Sequence, residues 1–354
     1  MKLISLFTLI FLCQLGYGQV VLDADAPGET YELISSILAP GYNPIEVPDC
    51  NHMEFGEHID EVFDSTLNIH VFRFHIHTTP DDDRCIKFDR QRNEIKSYDK
   101  SPDNLLGIEN EKVVYKWKFK LPSGFQSSPN FTHLHQLKSV GGSLASMPMY
   151  TLTARKGTPD QLELRYAKTS SQVTLQKTDL APFIGSWLEV TETIGYGVDG
   201  NYKIEIKKVA DDSILFAYAN GSIVNWRPGA EFVRPKWGIY RSLINAQDLR
   251  DEMVLFANFS IEEIGTTSIK ESNINKKNSI VSNPAYGSIF IKEVPLNTEH
   301  IQLYNSTGIL VLTQQLEDLL SEITIDVSSL PSGKYILKLG GKKHVETHPI
   351  IIVK

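Results

Sequence analysis

Phe131-Thr-His-Leu-His-Gln-Leu-Lys138 places two histidines, a glutamine and a lysine within eight residues, with a leucine between the polar ones. The stretch runs from a Pro129-Asn130 turn to a Gly141-Gly142 turn, a length that suits a strand and is short for a helix. Alternation along a strand puts His133 and His135 on one face, and Gln136 and Lys138 on the other. A strand so polar makes poor core and reads as the floor of a binding cleft. For an isolated pair of histidines, a satisfied structural role on a wet sheet would be as good an account. The flanking segments decide against that.

Working outward, the chain is mostly β. Val71–His77 alternates cleanly, with Phe72, Phe74 and Ile76 on one face. Lys112–Leu121, Met149–Arg155, Leu162–Tyr166, Trp187–Thr193, Tyr202–Val209, Ile214–Tyr218 and Met253–Ile264 also read as strands, and Tyr31–Leu38 as a short helix. Asp199-Gly200 and Asn220-Gly221 are turn signals. Many short strands without long helices predict an all-β fold, a jelly roll or concanavalin-like sandwich, whose concave sheet suits a linear polymer.

Two further segments share the cleft in this reading. In Phe88–Lys96, alternation aligns Arg90, Arg92, Glu94 and Lys96, three cations beside one carboxylate. Such a row repels itself unless a carboxylate or an anionic ligand intervenes. In Pro235–Ser242, Lys236, Gly238, Tyr240 and Ser242 face one way, with Gly238 leaving room for a ligand to approach the backbone.

Residues 1–18 read as a secretory signal: Lys2 is the charged start, Leu3–Leu15 the apolar run, and Gly16-Tyr17-Gly18 the small residues before cleavage. That run is too short to span a bilayer comfortably. Export would leave Cys50 and Cys85, which form the expected disulfide, a bridge contributing about 3–4 kcal/mol by chain entropy. No cysteine spacing resembles a zinc motif, so no metal ligands are assigned. No cofactor is required in this reading, although a structural calcium ion is compatible with it. The net charge of −8 over 354 residues argues against nucleic acid as partner, so an anionic polysaccharide must be met by a locally basic cleft. A monomer is expected.

Near Gly265 the composition turns polar, and 266–278 reads as a linker between a domain at 19–265 and another at 279–354. The last seventy or so residues, with Asn283-Pro284, Ile301–Gly308, Asp326–Gly333 and Tyr335–Leu339, resemble the C-terminal sorting domain of the type IX secretion system of Bacteroidota. That resemblance implies a small β-sandwich, contact with the secretion machinery, delivery outside the cell or to its surface, and a tail dispensable for catalysis.

Together the three cleft segments resemble polysaccharide lyases with the β-jelly-roll fold. Lys236-x-Gly238-x-Tyr240 is similar to the lysine-glycine-tyrosine strand of alginate lyases. Gln136-Leu-Lys138 looks like their glutamine-x-histidine strand with lysine replacing histidine, and Asp89–Lys96 like their arginine-bearing strand. The likeness is closest to the ulvan lyases of polysaccharide lyase family twenty-eight, with glucuronan lyases next. It implies β-elimination on a uronate polymer, with Lys138 and Tyr240 as the catalytic pair. Arg90, Arg92, Glu94, His133, His135, Gln136, Arg155, Lys236 and Arg241 are the expected substrate contacts, with Lys156 as a further basic candidate.

The chemistry asks for the same residue types. Removing the C5 proton of a uronate needs its carboxylate neutralised, which Arg92 and Gln136 could do, with Arg90 or Arg155 in reserve. A base must take the proton and an acid must protonate the leaving oxygen at C4. Tyr240 fits the acid, or both acid and base where the proton and leaving group lie on one side. Lys138 is either the base or a neutralising cation, and the sequence leaves both open. A sandwich hydrolase would need two flanking carboxylates, and no Glu-x-Asp-x-x-Glu string is present. A glucuronan lyase or a non-catalytic glycan-binding protein are the other readings.

Overall fold

Some strands alternate buried and exposed side chains, as Gly200–Lys208 does, whereas others, such as Phe232–Ser242, are buried on both faces. In Ile69–Ile76, Phe72, Phe74 and Ile76 are fully buried, while Arg73 between them is partly exposed. The computed structural model describes residues 19–264 and 283–354, apart from 293, 295–297, 307, 317–321 and 342–343. The expected signal segment and linker lie outside the described residues. The chain divides into two units, Met1–Ser268 and Ile269–Lys354.

The first unit contains β1 (Val20–Leu22), α1 (Thr30–Leu38), β2 (Ile45–Glu46), β3 (Ile59–Asp64), β4 (Ile69–Ile76), β5 (Arg90–Lys96), β6 (Lys112–Lys120), β7 (Thr132–Val140) and β8 (Tyr150–Arg155). It continues through β9 (Gln161–Tyr166), β10 (Val173–Asp179), β11 (Trp187–Gly195), β12 (Gly200–Lys208), β13 (Ile214–Ile223), β14 (Phe232–Ser242) and β15 (Glu252–Glu263). Two antiparallel sheets result, ordered β13-β12-β11-β6-β15-β4-β3 and β10-β9-β8-β7-β14-β5-β2, with β1 added to β15. One core fills the space between them. Phe72, Trp117, Phe119 and Val190 come from the first sheet, and Leu137, Leu152, Leu164, Trp237 and Ile239 from the second. Each such side chain contributes about 1.5–3 kcal/mol on burial. This is the all-β jelly-roll sandwich that the alternation predicts.

β3 and β10 are strands that the sequence reading does not include. β3 buries Glu61 and exposes Phe63, inverting the expected polarity, and β10 is an edge strand with no fully buried residue. Asn220-Gly221 is a correction. Instead of turning the chain, it lies within β13, where the register against β12 slips between Gly200 and Tyr202. The extra residue is absorbed as a bulge on an edge strand rather than as a turn.

In the second unit, β16 (Ser288–Lys292) pairs with β19 (Glu322–Asp326). The sheet β18-β17-β20-β21 is built from Leu310–Gln315, His300–Asn305, Gly333–Gly341 and His344–Ile352. Ile289, Ile291, Leu303, Leu337 and Ile350 form its core. No helix among the described residues is long and apolar enough to cross a membrane.

Candidate active site

β7, β14 and β5 are neighbours, so the three segments singled out in the sequence become one surface. Across β14, Tyr240 faces Arg92 and His133, Gly238 faces Glu94, Lys236 faces Lys96 and Gln136, and Arg234 faces Lys138. Directly paired residues point to the same side of a sheet, so these groups share one face.

The histidines depart from simple alternation. Register shifts occur between His133 and His135 against β8, and between Trp237 and Tyr240 of β14 against β7. Leu134 and His135 therefore both turn toward the core, and His133 joins Gln136 and Lys138 on the other face. His135 is 1% exposed, with Nε2 2.8 Å from Glu192 and its ring 4.4 Å from that of Trp117. It braces the two sheets and has no access to the cleft. Arg241 is also turned inward, because its neighbour Tyr240 points out. It is fully buried, donating from Nε to Gln91 at 2.7 Å and from Nη1 to the Arg250 carbonyl at 2.8 Å.

Arg92, Gln136 and Lys236 are gathered around carboxylates of the protein itself. Glu94, fully buried, accepts from Arg92, Gln136 and Lys236. Glu46 on β2 takes Lys236, Lys96 and Arg84, and Asp83 takes Arg92 Nε at 2.8 Å. Burial pushes the Glu94 carboxyl up, but Lys236 and Arg92 outweigh it and hold it at about 2. These cations brace the floor rather than wait for substrate. Gly238 also has a different reason from the expected one. A Cβ there would lie 2.1 Å from the Asn93 carbonyl oxygen, and φ is +145°, so the close approach of β5 requires glycine. Removing the central acceptor, as Glu94→Ala, is expected to destabilise the unit by about 3–5 kcal/mol, since it leaves buried cations uncompensated. Urea unfolding measures this, and an unchanged midpoint would refute the bracing role.

Four groups on the same face remain available. Lys138 is partly exposed and has no hydrogen-bond or ion-pair partner among the described residues. Burial first, then Lys236, Arg92 and Arg234, bring its amine down to about 8. Arg234 has a buried Nε without a partner among the described residues. It was missed in the sequence, although counting two back from Lys236 along the strand finds it. Tyr240 receives Arg90 Nη1 at 3.0 Å, and its ring lies 3.6 Å from the Arg92 guanidinium carbon. Burial raises its pKa, and Arg92 and Arg90 pull against that rise. His133 is held neutral, burial pushing it down to about 3, with Nδ1 2.8 Å from Thr153 Oγ1 and its ring 5.8 Å from that of Tyr240.

Of the remaining expected contacts, Arg90 is bound to Asp89, Arg155 to Glu163 and the backbone of Pro129 and Asn130, and Lys156 to Asp248. Lys138 does not stand opposite Tyr240. It lies further along the adjacent strand, on the same face. The expected Cys50–Cys85 disulfide is present, with Cα atoms 6.3 Å apart, and ties the loop after β2 to the loop before β5.

Residues 279–353 match a secretion system C-terminal sorting domain. The tail is thus a type IX sorting signal, directing the chain to the extracellular space or the cell surface. A comparison with curated proteins finds no match. Among solved structures, the chain is similar to the endo-β-1,4-glucuronan lyase of the fungus Trichoderma reesei. The identity is 14% and the TM-score 0.42, covering 58% of this chain and 87% of that one. It is also similar to a marine alginate lyase from Aplysia kurodai, at 13% identity and TM-score 0.49, covering 70% and 100%. An alginate lyase from Pseudomonas aeruginosa matches at 12% identity and TM-score 0.39, covering 58% and 86%.

Proposed function

We propose that the first unit is an endolytic lyase that cuts a uronate-containing polymer by β-elimination, with ulvan as its substrate and glucuronan as the alternative. The observation that carries this reading is the Tyr240 hydroxyl, held by Arg90 with Arg92 against its ring, on the same face as an amine of lowered pKa that has no partner among the described residues. In the proposed step the Lys138 amine takes the C5 proton, the electron pair forms the C4–C5 double bond, and the C4–O bond breaks. Tyr240 gives its proton to the departing oxygen. Arg234, whose Nε has no acceptor among the described residues, neutralises the uronate carboxylate in place of the committed Arg92. Export by the sorting tail fits a polymer too large to be taken up intact.

Incubation with ulvan, glucuronan and alginate tests this. Growth of ultraviolet absorbance from an unsaturated uronate is expected on ulvan, with a rapid early fall in viscosity from internal cuts. Reducing ends without that absorbance would overturn the lyase reading, and activity on alginate alone would overturn the ulvan assignment.

A further inference from the structure

Beside the disulfide, away from Lys138, four side chains converge from separate parts of the chain. His52 follows Cys50, His58 leads into β3, His77 follows β4, and Asp81 precedes Cys85. One donor atom from each lies within 4.8 Å of those of all the others. His52 Nδ1 and His58 Nε2 are 2.8 and 3.2 Å from Asp81 Oδ1, and His77 Nδ1 is 3.1 Å from Asp81 Oδ2. The three imidazole centroids are 4.8 to 5.5 Å apart. Around a tetrahedral zinc ion, with bonds near 2.0–2.2 Å, ligand atoms are separated by about 3.3 Å. The three separations from Asp81 are already close to that.

The surroundings are those of a metal centre. His58 Nδ1 lies 2.6 Å from Asp49 Oδ1, so Nε2 is the nitrogen left to face the cluster. A carboxylate behind a ligating histidine fixes its tautomer and raises its basicity. Asp49 is itself positioned by the Tyr31 hydroxyl at 2.8 Å. The Phe55 ring lies 5.4, 4.8 and 4.4 Å from those of His52, His58 and His77, an apolar cover that limits solvent. His58 and Asp81 are buried, whereas His52 and His77 are partly exposed and leave a path for an ion.

We infer that His52, His58, His77 and Asp81 bind one zinc ion in a closed, structural site. Three imidazoles and one carboxylate suit zinc. They do not suit calcium, which takes six to eight oxygen ligands, so the calcium ion allowed by the sequence does not fit here. Four protein ligands fill a tetrahedron and leave no position for substrate. The site clamps the loop from His77 to Cys85. Gln91 Nε2 donates to the Asp81 carbonyl at 3.0 Å, the Arg92 amide donates to the Asp82 carbonyl at 3.1 Å, and Asp83 holds the Arg92 side chain against Tyr240. The ion would therefore stiffen the support of the cleft without taking part in it. The ligands are scattered from 52 to 81 with no motif spacing, so the sequence does not announce them.

The test uses the full mature chain without an affinity tag, stripped with a chelator and titrated with zinc. One zinc per chain by elemental analysis and calorimetry is expected, together with a higher Tm for the zinc-loaded protein. Asp49→Asn, behind the ligand, should weaken zinc about 10–100-fold. His52→Gln with His77→Gln should abolish stoichiometric binding and the Tm response to chelator, while His70→Gln on β4 leaves both unchanged. Cobalt substituted for zinc should show the visible absorption of a tetrahedral centre. The His52 side chain is 20% exposed, so His52→Gln alone is a mild variant if the double one fails to fold. Absence of stoichiometric zinc in the wild type, or equal affinity in the His52→Gln protein, would overturn the assignment.

Discussion

Tyr240→Phe should lower kcat on a soluble uronate polymer by about 10²–10⁴-fold while leaving Tm nearly unchanged. The ring is what packs. It sits against the Arg92 guanidinium and the Phe131 ring, and phenylalanine keeps both contacts. The hydroxyl accepts from Arg90, but Arg90 is also bound through two nitrogens to Asp89 and is partly exposed, so losing one bond costs little. What disappears is the group that hands a proton to the departing oxygen. Because that transfer occurs in the transition state, kcat should fall while KM moves little. Near-wild-type kcat in Tyr240→Phe would refute the mechanism whole.

The fold is legible in the sequence because its core obeys period-two alternation. Phe72, Phe74 and Ile76 are fully buried, and Trp237 and Ile239 flank Gly238 as the pattern demands. The same rule aligns Arg92 with Glu94, and Lys236 with Tyr240, by residue spacing alone. It fails where the backbone slips by one residue. The shifts beside Leu134 reverse the fate of one histidine relative to the other, and a bulge leaves no mark in residue type. Commitment of charges is equally invisible. Arg92 and Lys236 look like substrate cations until Asp83 folds back from the preceding loop and Glu46 arrives from a strand remote in sequence. Arg234 was legible by counting but hidden by the proline beside it, which marks a poor strand interior. The four histidine and aspartate ligands could be assembled only by the fold.

Lys138 separates three mechanisms by pH. A lysine base must be neutral to act, and with a pKa brought down to about 8 the rate should rise with pH and level off above that value. Lys138→Arg would then lose about 10²–10⁴-fold, because arginine stays charged throughout. A neutralising lysine has the opposite sign. It must carry its proton, so the rate would fall as pH passes about 8, and Lys138→Arg would keep measurable turnover. His133 stands nearer Tyr240 and is the remaining candidate for the base. Its pKa is pushed to about 3 by burial, so it is neutral across the working range and would give a rate flat from pH 5 to 8. The profile, read together with Lys138→Arg and His133→Ala, therefore assigns the base. The expected result is a rising limb near pH 8 in the wild type, absent in Lys138→Arg and preserved in His133→Ala. A flat wild-type profile with His133→Ala inactive would move the base from β7's lysine to its histidine and leave Tyr240 as the acid.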